Sequence, residues 1–475
     1  MKETVVLYSG MGVGHLTPMV ELAEIFVRRG FASVAVVAVE SPFPGAPSLE
    51  PVISRLSSSH RASSISFHLL PRVPPPAGGN PVAQRFDVLR LNNPALLSLL
   101  RSLSPPPRAL VLDFFCIDAL DVAAELALPA YFFFSSGAAI LAVFLHLPHD
   151  HDRAGAASFK DLGRAPVHFP GVRPIPAGDM HPALSDRDTD AYRALVRNFG
   201  RLPGSRGILV NTFEALEPGP ARALRDGLQL PGRPMPPTFC VGPLVAGGGG
   251  EGREAERHAC LAWLDARPER SVVFLCFGSM GAFSADQLRE TALGLERSGH
   301  GFLWVVRSPP DPDPDPSKAA FAPRPEPDLG ALLPEGFLER TAGRGLVVPS
   351  WAPQVEVLRH GAVGAFVSHC GWNSSLEAIT AGVPLVCWPL YAEQRMNKVF
   401  LVDEIRVGVA VDGYDQVLVA ADEVERKVRL LMETEDGQRL RARAAELKDK
   451  AAAALDEGGS SHAAFQEFLK DLEKQ

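Results

Sequence analysis

The strongest constraint on the fold is an alternation that begins at residue 4 and returns after residue 270. TVVLYS runs into the turn Gly10-Met11-Gly12-Val13-Gly14-His15, then the helical stretch TPMVELAEIFVRRG, then ASVAVVAVE. Strand, glycine turn, helix and strand make a βαβ unit, and near-continuous apolar runs such as ALVLDFF, AYFFFS, GILVN and TFCVG belong in a parallel sheet covered on both faces. SVVFLCFGS, a helix over 285–298, GFLWVVR, GLVVPS, GAFVSH and VPLVCWP repeat the design. The expected fold class is α/β, with two doubly wound, Rossmann-like domains.

Between the two series lies AGGGGEGREAER, whose glycines and charges suit an exposed linker. The expected domains are 1–242 and 258–455, joined by a linker over 243–257, with a closing helix over 456–475 that packs back on the N-terminal domain. From Ala420 onward the composition reads as helices, with Gly458-Gly459 as a stop and Ser460 as a fresh N-cap. Ser308 to Leu333, with PPDPDPDP and PRPEP, carries too many prolines for regular structure and reads as a surface loop.

Composition excludes several function classes. The 47 basic and 55 acidic residues give a net charge of −8 with no basic block, which argues against nucleic acid or an anionic membrane as partner. Six cysteines without a C-x-x-C pair read as reduced thiols, and the N-terminus lacks the pattern of a signal peptide, so a cytoplasmic protein is expected. The uncharged stretch from Leu126 to Leu147 approaches the length of a membrane span, but Pro129 and Ser135-Ser136-Gly137 break it into strand, turn and buried helix. No stable membrane insertion is expected.

The first glycine turn departs from the dinucleotide fingerprint G-x-G-x-x-G, because His15 stands where the third glycine belongs. Glu40, at the end of the second strand, keeps a nicotinamide-dependent oxidoreductase as a rival reading. His15 lies beyond the carboxyl end of a strand, where open α/β sheets bind ligands, and near a helix N-terminus whose dipole disfavours imidazolium. A neutral ring there suits a general base. Asp113, directly after ALVL, projects from the same sheet edge as its orienting acid; Asp118 and Asp121 are competitors on the following helix, where capping or solvation suits them better.

A second site opens where GAFVSH runs into His369-Cys370-Gly371-Trp372-Asn373-Ser374-Ser375-Leu376-Glu377. Free amides at the start of that helix suit an anion. Ser374 and Glu377 also fit a capping box, in which both would only satisfy backbone donors. A capping box leaves His369 unexplained, and likewise Gly371, which permits close backbone approach.

The 44-residue segment from Trp351 to Gln394, WAPQVEVLRHGAVGAFVSHCGWNSSLEAITAGVPLVCWPLYAEQ, resembles the signature box of the plant family of UDP-dependent glycosyltransferases. The likeness extends over nearly the whole chain, through GVGHL, VLDFFC, VGPL and CFGS. It implies the GT-B fold, two Rossmann-like domains whose parallel sheets face each other across a cleft. It further implies that Trp351 stacks on uracil, that Ala352 and Gln354 help hold base and ribose, and that Glu377 binds the ribose hydroxyls. By the same resemblance His369, Asn373, Ser374 and Ser279 surround the diphosphate, Trp372, Glu393 and Gln394 line the sugar, and Ser135 lies near its 6-position. The ending Glu393-Gln394 matches members that use UDP-glucose, and no basic residue near Trp372 favours glucuronic acid.

The implied activity is inverting transfer of glucose from UDP-glucose to a hydroxyl of a small phenolic acceptor, flavonoid-like, with His15 as base assisted by Asp113. UDP-sugar is a co-substrate; no cofactor and no metal are expected, consistent with the lack of a D-x-D pair, and a monomer is expected. A nucleotide-sugar-binding protein without turnover is the other alternative. Further motifs fail on inspection. Phe277 removes a G-x-S-x-G elbow at Cys276-Phe277-Gly278-Ser279-Met280-Gly281, no H-E-x-x-H occurs, and His149-Asp150-His151-Asp152 reads as a solvated loop after Pro148. Phe114, Phe115, Phe132 to Phe134 and Phe144 offer an aromatic lining for an acceptor, although most should be core.

Overall fold

The computed structural model describes residues 4–43, 46, 48–60, 64–76, 78, 80–152, 157–246, 258–310 and 325–474. The chain divides into two compact units, one of Met1–Val245 with Ala453–Gln475, the other of Ala246–Ala452. Residues 247–257, most of the expected linker, and the proline run 311–324 lie outside the described residues.

The first unit is built on β1 (Thr4–Tyr8), β2 (Val34–Val39), β3 (Ile65–Leu70), β4 (Pro107–Asp113) and β5 (Ala130–Phe134). A hairpin of β6 (Pro166–Phe169) and β7 (Val172–Pro176) precedes β8 (Gly207–Val210) and β9 (Thr238–Cys240). The seven strands of the main sheet run in the order β3-β2-β1-β4-β5-β8-β9, all parallel. Every residue of β1, β2 and β5 is buried, which is why these segments read as unbroken apolar runs. β3 was not legible: ISFHLL is an edge strand with Ser66 and His68 on its wetter positions, and its apolar pattern is interrupted.

The second unit holds β10 (Val272–Cys276), β11 (Gly301–Val306), β12 (Gly345–Pro349), β13 (Val363–Ser368), β14 (Leu385–Cys387) and β15 (Gly408–Ala410). Their order is β12-β11-β10-β13-β14-β15, again all parallel. Each sheet therefore reverses its direction of winding once, between β1 and β4 in the first unit and between β10 and β13 in the second. Such switch points leave a crevice at the carboxyl ends of the two strands, because the flanking connections depart to opposite sides.

The apolar stretch after Leu126 resolves into β5, the Ser135-Ser136-Gly137 turn and a helix, Ala138–Asp152. Among the described residues no helix is long and apolar enough to cross a membrane. Three local expectations need correction. The Ala138–Asp152 helix continues through Pro148, so His149 to Asp152 lie on its last turn and not in a loop; the Arg187 guanidinium donates to the His151 carbonyl there, 2.7 Å away. Within 325–333 a short helix, Leu329–Leu332, forms because Asp328 Oδ1 accepts from the amides of Gly330 and Ala331. The closing helix spans Ser460–Glu473 with Gly459 as its N-cap, so Ser460 is already helical.

That closing helix belongs to the first unit. Phe465, Phe468 and Leu472 enter its core beside Phe26 and Phe239, and Phe468 packs edge-on against Tyr131 at 4.9 Å and Phe26 at 5.8 Å. Asp471 accepts from Tyr131 Oη at 2.7 Å and Arg206 Nε at 2.8 Å. Ser461 Oγ donates to the Gly242 carbonyl at 2.5 Å. Phe468→Ala should cost about 3–5 kcal/mol through the lost transfer energy and the cavity left behind, measured by denaturant unfolding; a loss below 1 kcal/mol would show that the helix does not complete this core.

Candidate active site

At the first switch point the chain leaves β1, turns through Gly10 to Gly12 and enters the helix Val13–Arg28. His15 is thereby carried back over the end of β4, whose last residue is Asp113. His15 Nδ1 lies 2.9 Å from Asp113 Oδ2; the carboxylate is wholly buried, whereas a quarter of the imidazole is exposed (26%). A carboxylate only accepts hydrogen bonds, so Nδ1 donates to it, which in a neutral ring makes Nε2 the acceptor nitrogen. The other oxygen, Asp113 Oδ1, accepts from the Phe115 amide at 2.9 Å, which fixes the carboxylate plane. Phe115 also meets the His15 ring edge-on with centroids 5.0 Å apart.

Gly10 makes this pair possible. A Cβ there would stand 2.7 Å from Asp113 Oδ1 and 3.3 Å from His15 Cγ. The competing carboxylates are engaged elsewhere, since Asp118 and Asp121 both pair with Arg201. Glu40, the residue that kept a nicotinamide reading open, accepts from the Leu49 amide at 3.1 Å and ties down its own loop. Ser135 follows β5, and the helix after it begins on a cap that its own neighbourhood does not supply: Glu217 accepts from the amides of Ala138 and Ala139 at 2.9 Å each, and from Thr212 Oγ1 at 2.5 Å. Sequence reading missed this carboxylate because it lies 79 residues from the helix it caps. Phe132, Phe133 and Phe134 are fully buried core residues, while Phe114 and Phe115 are half-buried.

In the second unit the box residues gather at the ends of β12, β13 and β14, and Ser279 follows β10. Ser350 and Cys370 adopt left-handed φ of 62° and 65°, and Ala392 one of 54°, conformations that cost residues bearing a Cβ and that re-aim the chain beside Trp351, His369 and Glu393. His369 is buried between two glycines: a Cβ on Gly278 or Gly371 would come within 2.6 Å or 2.5 Å of its Nε2. Gly371 thus makes room for this imidazole, a more specific task than the backbone approach expected of it. Burial lowers the His369 pKa to about 4, so the ring is neutral near pH 7. Ser279 lies exposed on the turn that follows Gly278.

The capping box does not form. The helix Trp372–Ala381 has Gly371 as its N-cap, which puts Ser374 inside the first turn. Gln354 joins the two expected capping residues instead, donating from Nε2 to Ser374 Oγ at 2.9 Å and to Glu377 Oε2 at 2.6 Å. Burial raises the Glu377 carboxyl to about 7 against the opposing effect of the Gln354 hydrogen bond. Trp351 is 61% exposed, flanked edge-on by His258 at 5.8 Å, while Ala352 beside it is buried. Trp372 is also buried. Asn373 follows it in the first turn. Gln394 spends its carboxamide oxygen on the amides of Leu390 and Tyr391, both at 2.9 Å, so what it can offer a ligand is its NH2 group; Glu393 is the N-cap of the same short helix. Among the described residues no group of three or more His, Cys, Asp or Glu side chains is placed to hold a metal ion.

Two outcomes are expected of these sites. Gly10→Ala should leave the unfolding midpoint near that of the parent yet lower turnover on the order of 100-fold by displacing His15 or Asp113; unchanged turnover would show that the pair tolerates the clash. His369 is neutral in the fold and charged in the unfolded chain below pH 6.5, so the unfolded state binds more protons between pH 6.5 and 4 and stability falls as pH falls through that window. The loss is on the order of 3 kcal/mol, and His369→Gln should flatten it in unfolding midpoints recorded from pH 4 to 7.

A profile described as "UDP-glucoronosyl and UDP-glucosyl transferase" matches residues 236–433. An anthocyanidin 5,3-O-glucosyltransferase of a Rosa hybrid cultivar is 43% identical over 483 residues, spanning 100% of this chain and 99% of the relative. A phloretin 2'-O-glucosyltransferase of Pyrus communis is 44% identical over 491 residues, spanning 99% of this chain and 100% of the relative. The structure of a Polygonum tinctorium UDP-glucosyltransferase capable of glucosylating indoxyl, in complex with 3,4-dichloroaniline, is similar with a TM-score of 0.87 at 37% identity, covering 100% of this chain and 99% of that one. With two parallel-sheet units and relatives alike over its whole length, this chain belongs to the plant UDP-glycosyltransferases of GT-B fold.

Proposed function

We propose that this protein moves glucose from UDP-glucose to a hydroxyl of a small phenolic acceptor, with inversion at the anomeric carbon and without a metal. The observation that carries the reading is the 2.9 Å bond from His15 Nδ1 to a fully buried Asp113 carboxylate, which leaves Nε2 as the basic atom. His15 Nε2 takes the acceptor proton as that oxygen bonds to the anomeric carbon; the bond from that carbon to the diphosphate oxygen breaks, and UDP departs. Asp113 holds the ring in the useful tautomer and stabilises the imidazolium that forms. Residues 1–242, with the closing segment 456–475, take the acceptor; residues 258–455 take the donor.

In the donor half Trp351 stacks on uracil, an exposed indole face being suited to a planar base. Ala352 and Gln354 hold the base and ribose, and Glu377, itself oriented by Gln354, accepts from the ribose hydroxyls. His369, Asn373, Ser374 and Ser279 surround the diphosphate together with the first amides of the Trp372–Ala381 helix, a set of neutral donors that stabilises the leaving group by fixed dipoles. Trp372, Glu393 and Gln394 line the glucose, with Ser135 near its 6-position. The two relatives named for anthocyanidin and phloretin support a flavonoid-like phenol as acceptor. Buried, unpaired cysteines support a reducing, cytosolic compartment. We read the active species as a monomer.

Incubation with UDP-glucose and a panel of plant phenols should give products heavier by one hexosyl unit by mass spectrometry. The absence of product with every phenol, despite UDP binding, would replace the enzyme by a nucleotide-sugar-binding protein. His15→Ala should lower the rate by roughly 10² to 10⁴ on a weakly acidic hydroxyl; a parental rate with binding intact would remove His15 from the mechanism.

A further inference from the structure

Two loops of the second unit carry the residues assigned to different parts of the donor: His369 to Ser374 for the diphosphate, Glu393 and Gln394 for the sugar. A buried side chain links them by a hydrogen bond. Asn397, fully buried, lies one turn into the helix Gln394–Val399 and donates its backbone N–H to the Glu393 carbonyl at 3.0 Å. Its side-chain Nδ2 donates to the Cys370 carbonyl, also at 3.0 Å. Cys370 is the residue at φ 65° between His369 and Gly371, and its own amide donates to Ser368 Oγ at 3.2 Å. The Cys370 residue is thus held at both ends of its backbone, which is how a residue with a Cβ stays in a conformation that glycine would adopt freely. After Val399 the helix widens into a π-type turn over Phe400–Glu404.

We propose that Asn397 is a positioning residue for UDP-glucose: it fixes the spacing between the loop that holds the diphosphate and the loop that holds the sugar, through the strained Cys370 carbonyl. It touches neither substrate. Because it sets a distance between two subsites, its loss falls harder on a ligand that fills both, UDP-glucose, than on UDP, which fills one. The inference rests on the donor assignment proposed above.

Calorimetric titration with UDP and with UDP-glucose, alongside steady-state kinetics, tests it on the full chain. Asn397→Ala is expected to raise KM and Kd for UDP-glucose at least tenfold, to weaken UDP by a smaller factor, and to leave the KM of the phenol within twofold. Cys370→Gly adopts the left-handed backbone without a strut. In that background the effect of Asn397→Ala on UDP-glucose should shrink at least threefold, the signature of two residues acting through one contact. A folded Asn397→Ala with parental affinity for UDP-glucose overturns the proposal, as does an equal loss in both backgrounds. If Asn397→Ala does not fold, a folded double variant with near-parental KM supports the strut, and failure of both to fold overturns it in favour of a purely structural residue. A parent protein that binds neither nucleotide sinks the donor assignment itself, an outcome distinct from the others.

Discussion

A parallel sheet covered on both faces leaves only one place for chemistry, the carboxyl ends of its strands, and that constraint organises both units of this protein. The strand orders reverse between β1 and β4 and between β10 and β13. At each reversal a histidine follows one strand: His15 after β1, His369 after β13. At each, glycine is what lets the ring approach its neighbours. Gly10 clears the space above Asp113, and Gly278 with Gly371 encloses His369. The strands supply rigidity, while the turns supply reach.

The two histidines sit in different surroundings. His15 has a buried carboxylate against Nδ1 and a partly exposed ring, the surroundings that the proposed base role calls for. His369 is enclosed and kept neutral by desolvation. It therefore brings no formal positive charge to the proposed diphosphate site. Glu217 shows the same economy at another helix start, where one carboxylate satisfies two backbone amides and a hydroxyl.

Much of this architecture was legible because fully buried strands cannot hide. The runs that became β1, β2, β4, β5 and β10 to β14 stand out as apolar blocks between glycine turns, and the pairing of His15 with Asp113 follows from both residues lying just beyond such blocks. What escaped did so for definite reasons. β3 is an edge strand with polar positions, and β6 and β7 form a short hairpin outside the main sheet. The last turn of Ala138–Asp152 runs past a proline that local rules read as a stop. The capping pattern of Ser374 and Glu377 misled because the helix starts three residues earlier than the pattern requires. Glu217 and Asn397 work on backbone groups far away in sequence, and no local periodicity announces such contacts.

The return of the chain to its first unit has a consequence for biogenesis. Ser461 bonds to a carbonyl 219 residues upstream, and the aromatic side chains beside it complete a core begun by the first helix. During translation the amino-terminal lobe must wait, with Phe26 and Phe239 uncovered, until the intervening lobe has been made. Completion of that core is therefore tied to the last residues made and not to the order in which the two lobes are synthesised.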